Sequence, residues 1–259
     1  MGDPAAPGGL CELMTSKIEG KVIVLPDASH VAHEAAQRIA GALRSAIVDK
    51  GHASLALSGG TTPRAAYTLL AREPAVNWTS VEIFWVDERA VPPTDDRSNY
   101  HWAKMTLLDA ARIGDTSVHR MPADQPDLDG AARAYERTIR EHVEANGEGV
   151  PAFDALVLGV GDDGHTASLF PGESTVGIVD RLVAPVPPDT GREARLTLTP
   201  TAIEHARRVF VLAVGRSKRS ALNRVWAADG SLSQTPARVI RRCRGELTWI
   251  VDQDLAPVD

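Results

Sequence analysis

The chain has 259 residues, 43% of them hydrophobic, enough to bury the core of one large α/β domain. Its 34 acidic residues against 28 basic ones give a net charge of −6 without long single-sign runs, which argues against nucleic acid as the main partner. No apolar stretch approaches a membrane span and the opening MGDPAAPGGL lacks a basic n-region and an apolar h-region, so a cytoplasmic protein with no membrane partner is expected.

Residues 1–18, rich in Gly, Pro and Ala, read as a disordered N-terminal extension, and 19–259 as a single α/β catalytic domain. Lys21 to Leu25 reads as a strand, followed by a helix from about Ser29 to Lys50 with Val31, Ala35, Ile39, Leu43 and Ile47 on one face. Ser54 to Leu57 is a second strand. It runs into Ser58-Gly59-Gly60-Thr61-Thr62-Pro63, where Thr62 is expected to cap a helix with Pro63 at its first position. Paired glycines let backbone N–H groups approach an oxyanion, and a helix N-terminus favours negative charge, so phosphate is the natural guest. A merely tight βα turn would read the same way.

Val81 to Val86 is a third strand, and the charged Asp87-Glu88-Arg89 at its end is expected to face the crevice in which open α/β sheets bind ligands. A helix from Ser98 to about Arg112 and another over 128–145 follow. Phe153 to Leu158 then reads as a buried parallel strand closed by the turn GVGDDGHTASLFPG, Gly159 to Gly172. Extended segments near 182–186 and 194–199 and strands at 208–214 and 247–251 complete the set. Strands alternating with helices imply a doubly wound, mainly parallel sheet with helices on both faces.

The turn after Leu158 formally satisfies GxGxxG, but Asp162 and Asp163 would set like charge beside a pyrophosphate, and no ribose-binding acid ends the next strand. The same turn places His165 at the strand end. An imidazole, with an ordinary pKa of roughly 6.5, is the best general base available, and Asp163 or Asp162 could fix its tautomer. His30, His33, His52, His101, His119, His142 and His205 lack such a setting and receive no role. Arg195 and Lys218 lie near strands and could close on an anion from the far side. No GxSxG elbow precedes a helix, so water is the expected nucleophile. The two cysteines, Cys11 and Cys243, have no metal-ligand spacing, and no disulfide framework or zinc site is expected.

Taken in order, LSGGTTP, FWVDERAVPPTDDRSNY, GVGDDGHTASLFPG, RLTLTP and AVGRSKRSAL closely resemble the 6-phosphogluconolactonases, over roughly Lys21 to Asp252. That family resembles glucosamine-6-phosphate deaminases and has a doubly wound α/β fold. The resemblance implies hydrolysis of 6-phosphoglucono-δ-lactone to 6-phosphogluconate in the oxidative pentose phosphate pathway, without metal or cofactor. It implies a phosphate site of Gly59, Gly60, Thr61 and Thr62 facing Arg195 and Lys218. It implies His165 as general base with Asp163 beside it, and a strand-end pair of Asp87 and Arg89. Arg89 has three readings: contact with phosphate, support of the oxyanion, or restraint of Asp87.

Two alternatives stand beside this. A glucosamine-6-phosphate deaminase shares the phosphate site and the Asp-Gly-His turn, but typically follows it with Asn-Glu-Pro, whereas this chain has Ser168-Leu169-Phe170-Pro171. A non-catalytic sugar-phosphate sensor could use the same fold. Nothing in the sequence sets the oligomeric state.

Overall fold

The computed structural model describes residues 11–13 and 18–257. Its main sheet has seven strands. They are β1 (Cys11–Leu13), β2 (Lys21–Leu25), β3 (Ala53–Leu57), β4 (Val81–Trp85), β6 (Ala155–Gly159), β9 (Arg208–Ala213) and β10 (Glu246–Asp252), with β5 (Asp87–Arg89), β7 (Val183–Val186) and β8 (Arg195–Leu198) forming a second sheet. The order β1-β2-β10-β9-β6-β3-β4 is parallel throughout except for β1, which pairs antiparallel with β2. Cys11–Leu13 thus departs from the disorder expected over 1–18, because its backbone pairs with the open side of β2; the rest of that extension before Ile18 lies outside the described residues.

The helices are α1 (Ala28–Lys50), α2 (Thr61–Leu70), α3 (Asn99–Ala103), α4 (Asp109–Ala111), α5 (Leu128–His142), α6 (Pro200–Glu204) and α7 (Arg219–Trp226). In α1 the apolar stripe Val31, Ala35, Ile39 and Leu43 is fully buried, and the helix packs on β3, β9 and β10 beside α2. Asp27 caps its start by accepting from the N–H groups of Ser29 and His30, and Gly51, with φ of 84°, ends it in the left-handed conformation. One π turn, Lys104–Leu108, joins α3 to α4, so the helix expected from Ser98 to Arg112 is present in irregular form. All five residues of β3 are buried, which for a strand of period two means that both sheet faces are covered. No helix among the described residues is long and apolar enough to cross a membrane.

Strand order locates the crevice. From β3 the chain moves outward to β4 at one edge, whereas from β6, on the other side of β3, it moves by way of β9 and β10 in the opposite direction. The reversal falls between β3 and β6, and their carboxyl ends therefore open a gap that no crossover fills.

The second sheet, β5-β8-β7, is antiparallel and was not anticipated. Asp87-Glu88-Arg89, expected as the charged end of the preceding strand facing the crevice, forms a strand of its own, β5, with Arg89 opposite Arg195 and Asp87 opposite Thr197. Pairing with β8 overrides the weak strand propensity of three charged residues.

Candidate functional site

The loop after β3 forms one wall of the crevice. Gly60 has φ of 108° and precedes α2, which begins at Thr61. Thr62 is therefore not the cap: the helix starts one residue before it, on a glycine whose backbone conformation turns the chain without a side-chain hydrogen bond. The N–H groups of Thr61 and Thr62 have no acceptor within the helix and belong to its positive end. A Cβ added at Gly59 would run into Asn99 Oδ1, so only glycine lets these two segments meet. Tyr67 fixes the end of β3, its hydroxyl accepting from Ser58 N at 3.0 Å and donating to Ser58 O at 3.1 Å.

The turn after β6 forms the second wall. Gly161 N donates to His165 O at 2.9 Å and Gly164 N to Gly161 O at 2.9 Å, closing a tight loop. Within it Asp163 Oδ1 accepts from the His165 backbone N–H at 3.0 Å and lies 2.6 Å from His165 Nδ1. The network assigns the ring proton to Nδ1, which leaves Nε2 as the basic nitrogen. Burial raises the Asp163 carboxyl, but the hydrogen bonds from the His165 ring and backbone outweigh it and hold the group down at about 2. Asp162 takes a different partner: its Oδ1 is 3.3 Å from Lys218 Nζ and accepts from Ser217 Oγ at 3.3 Å. That separates the two acids that the sequence left interchangeable. A Cβ at Gly161 would overlap the His165 ring, so this glycine makes room for the imidazole.

β5 and β8 close the crevice. Alternation along β5 sends Asp87 and Arg89 to the cleft and Glu88 away from it. Glu88 is buried, and its carboxylate accepts from Asn99 N and Tyr100 N at 2.8 Å and from Ser98 Oγ at 2.9 Å, so it anchors the start of α3. Burial raises its carboxyl, partly offset by those backbone hydrogen bonds. Asp87 is fully engaged: Oδ2 accepts from Ser168 Oγ at 2.6 Å and lies 3.7 Å from Arg195 Nη1, while Oδ1 accepts from Asn99 Nδ2 at 3.1 Å. Arg89 Nη1 donates to the carbonyl of Arg97. Burial lowers the Arg195 guanidinium, with the Asp87 charge acting against it.

These walls enclose a cleft of about 220 Å³. It is lined by nine of the ten residues picked from the sequence: Gly59, Gly60, Thr61, Thr62, Asp87, Arg89, His165, Arg195 and Lys218. Asp163, the tenth, lies behind His165 instead of on the wall. The sequence reading missed Asn99, Ser168 and Arg224. Asn99 lies against Gly59 and donates to Asp87, Ser168 joins Asp87 to Arg195, and Arg224 Nη2 donates to Asp163 O at 3.1 Å. Asn99 and Ser168 stand inside the motifs FWVDERAVPPTDDRSNY and GVGDDGHTASLFPG; what the sequence lacks is a signal for their long-range partners. Ser58 Oγ and Asn99 Oδ1 are buried in the lining without a protein partner among the described residues.

Chemically, the cleft gathers a helix N-terminus, the guanidiniums of Arg89 and Arg195, the Lys218 ammonium and a carboxylate-oriented imidazole. Like charges opposite one another weaken a ladder, so Arg89 facing Arg195 fits an anion between them.

The family model described as glucosamine-6-phosphate isomerases/6-phosphogluconolactonase matches residues 26–249. The chain is 39% identical over 211 residues to a 6-phosphogluconolactonase of Synechocystis sp., covering 82% of this chain and 86% of the relative. Its identity to the 6-phosphogluconolactonase of Mycobacterium tuberculosis is 34% over 253 residues, covering 94% and 98%. Among solved structures, the 6-phosphogluconolactonase of Trypanosoma brucei superposes with a TM-score of 0.83 at 28% identity, covering 92% of this chain and 98% of that one. That of Trypanosoma cruzi gives 0.81 at 30% identity, covering 94% and 98%.

Proposed function

The chain belongs to the glucosamine-6-phosphate isomerase/6-phosphogluconolactonase family, and from that premise we propose that it hydrolyses 6-phosphoglucono-δ-lactone to 6-phosphogluconate in the pentose phosphate pathway. The observation that supports this reading is the Asp163-held His165 lining one cleft together with Thr61, Thr62, Arg89, Arg195 and Lys218. Residues 19–259 act as one catalytic domain.

The substrate phosphate sits on the N–H groups and hydroxyls of Thr61 and Thr62, against Gly59 and Gly60, with Arg195 and Lys218 closing on it. Fixing the phosphate orients the ring and converts attack by water into a step within one complex. His165 Nε2 takes a proton from water as its oxygen bonds to the lactone carbonyl carbon. The tetrahedral oxyanion is stabilised by backbone N–H groups or by Arg89. The carbon to ring-oxygen bond then breaks, and the imidazolium returns its proton to the leaving ring oxygen. Asp163 holds the ring and favours the imidazolium. Asp87, whose oxygens are occupied by Ser168, Asn99 and Arg195, keeps the cationic wall in place.

The deaminase reading has the same phosphate site but lacks the glutamate of Asn-Glu-Pro, and the matching segment here, Leu169 and Phe170, is buried apolar packing. The test is the disappearance of freshly generated 6-phosphogluconolactone with EDTA present, corrected for spontaneous opening, beside ammonia release from glucosamine 6-phosphate. Acceleration of the first with none of the second is expected. Ammonia release would move the assignment to the deaminase, and tight sugar-phosphate binding without either reaction would move it to a sensor.

A further inference from the structure

Glu82 lies at the amino end of the edge strand β4, whereas the cleft lies beyond the carboxyl end of the same strand. Two histidines meet it there. His119 comes from the segment that runs along β4, its backbone N–H donating to Ile83 O at 2.9 Å, and His142 comes from the last turn of α5. His119 Nε2 lies 2.5 Å from Glu82 Oε2, His142 Nδ1 lies 4.0 Å from the same oxygen, and one ligand atom from each of the three residues falls within 4.8 Å of the others. The His119 ring stacks on Phe84 with centroids 4.6 Å apart, and its centroid is 4.2 Å from that of His142. Both ion-pair partners of Glu82 among the described residues are histidines.

We propose that Glu82, His119 and His142 bind one divalent transition-metal cation of the zinc class, at a site separate from the catalytic cleft. Two imidazole nitrogens and a carboxylate oxygen suit such an ion, and tetrahedral bonds of about 2.0–2.2 Å place ligand atoms about 3.3 Å apart. The observed 2.5 and 4.0 Å separations straddle that value, so a carboxylate movement of about 1 Å opens the first and closes the second. Side-chain exposure rises from 11% at His119 through 27% at Glu82 to 41% at His142, which gives an ion a route in and leaves a coordination position for water. The bound ion would tie β4, the His119 segment and the end of α5 together. The two histidines are far apart in the chain and without ligand spacing, so only the fold brings this group together.

The test is equilibrium dialysis of the chelator-stripped full chain against Zn²⁺, repeated for His142→Ala, His119→Gln and His165→Ala, with thermal melting alongside. Expected is one ion per chain in wild type and His165→Ala, lost in both His142→Ala and His119→Gln. Saturation at a hundredfold excess over Kd should raise Tm by on the order of 5 °C in wild type and leave His142→Ala unmoved. His142 is the most exposed of the three, so its variant keeps the fold. Binding that survives His142→Ala, binding that disappears only in His165→Ala, or no saturable binding at all would each overturn the proposal.

Discussion

Two imidazole–carboxylate pairs of nearly equal length sit at opposite ends of the sheet. His165 Nδ1 lies 2.6 Å from Asp163, and His119 Nε2 lies 2.5 Å from Glu82. Around the first stand Arg89, Arg195, Lys218 and a helix N-terminus; around the second stand Phe84 and another histidine. The pair geometry is common to both, so it cannot by itself make a general base. What separates them is the cationic lining of the cleft, which has no counterpart around the second pair among the described residues and which, in the proposed function, brings a reacting carbon to His165.

Exchanging the two pairs by mutation should break that contrast most sharply. His165→Ala is expected to lower kcat for the lactone by about 10²- to 10⁴-fold, the usual worth of a positioned base. His119→Gln should leave kcat within about twofold, because it touches no reacting group; a comparable loss in both variants would mean a shared structural effect. Progress curves corrected for spontaneous opening decide it.

Gly59→Ala should come next. Its new methyl displaces Asn99, which abuts the Gly59 loop and bonds Asp87, so under the proposed phosphate site KM should rise at least about tenfold with a smaller change in kcat. Initial rates over a range of lactone concentrations separate the two constants. An unchanged KM would show that the loop does not carry the phosphate.

The smallest effect concerns acid stability. The folded Asp163 carboxyl, at about 2, lies below its ordinary 3.8. Its contribution is therefore present above about pH 4 and lost as pH falls toward 2. Asp163→Asn should flatten the fall of the urea midpoint across that window, modestly, because the group is half-exposed. An unchanged slope would show that the pair forms only transiently.

Apolar runs made the parallel strands legible and helical periodicity α1, since a continuous stretch such as Leu55 to Leu57 reads as a strand buried on both faces. The phosphate loop and His165 were legible because glycine, threonine and charge at strand ends have few other uses. The second sheet was not, because Asp87-Glu88-Arg89 carries no strand signature and acquires its conformation from β8. Thr62 was misplaced as the cap because the positive φ of Gly60 leaves no mark beyond the glycine itself. Asn99, Ser168 and His119 were unreadable for one reason: each acts through a partner that only the folded chain brings near.

The most direct measurement is a double-mutant cycle on corrected lactone hydrolysis, comparing wild type, His165→Ala, Asp163→Asn and the double variant. If His165 is the base and Asp163 works through it, the double variant will be as slow as His165→Ala alone. Losses that multiply, or a His165→Ala variant turning over near the wild-type rate, would contradict a base held by its carboxylate.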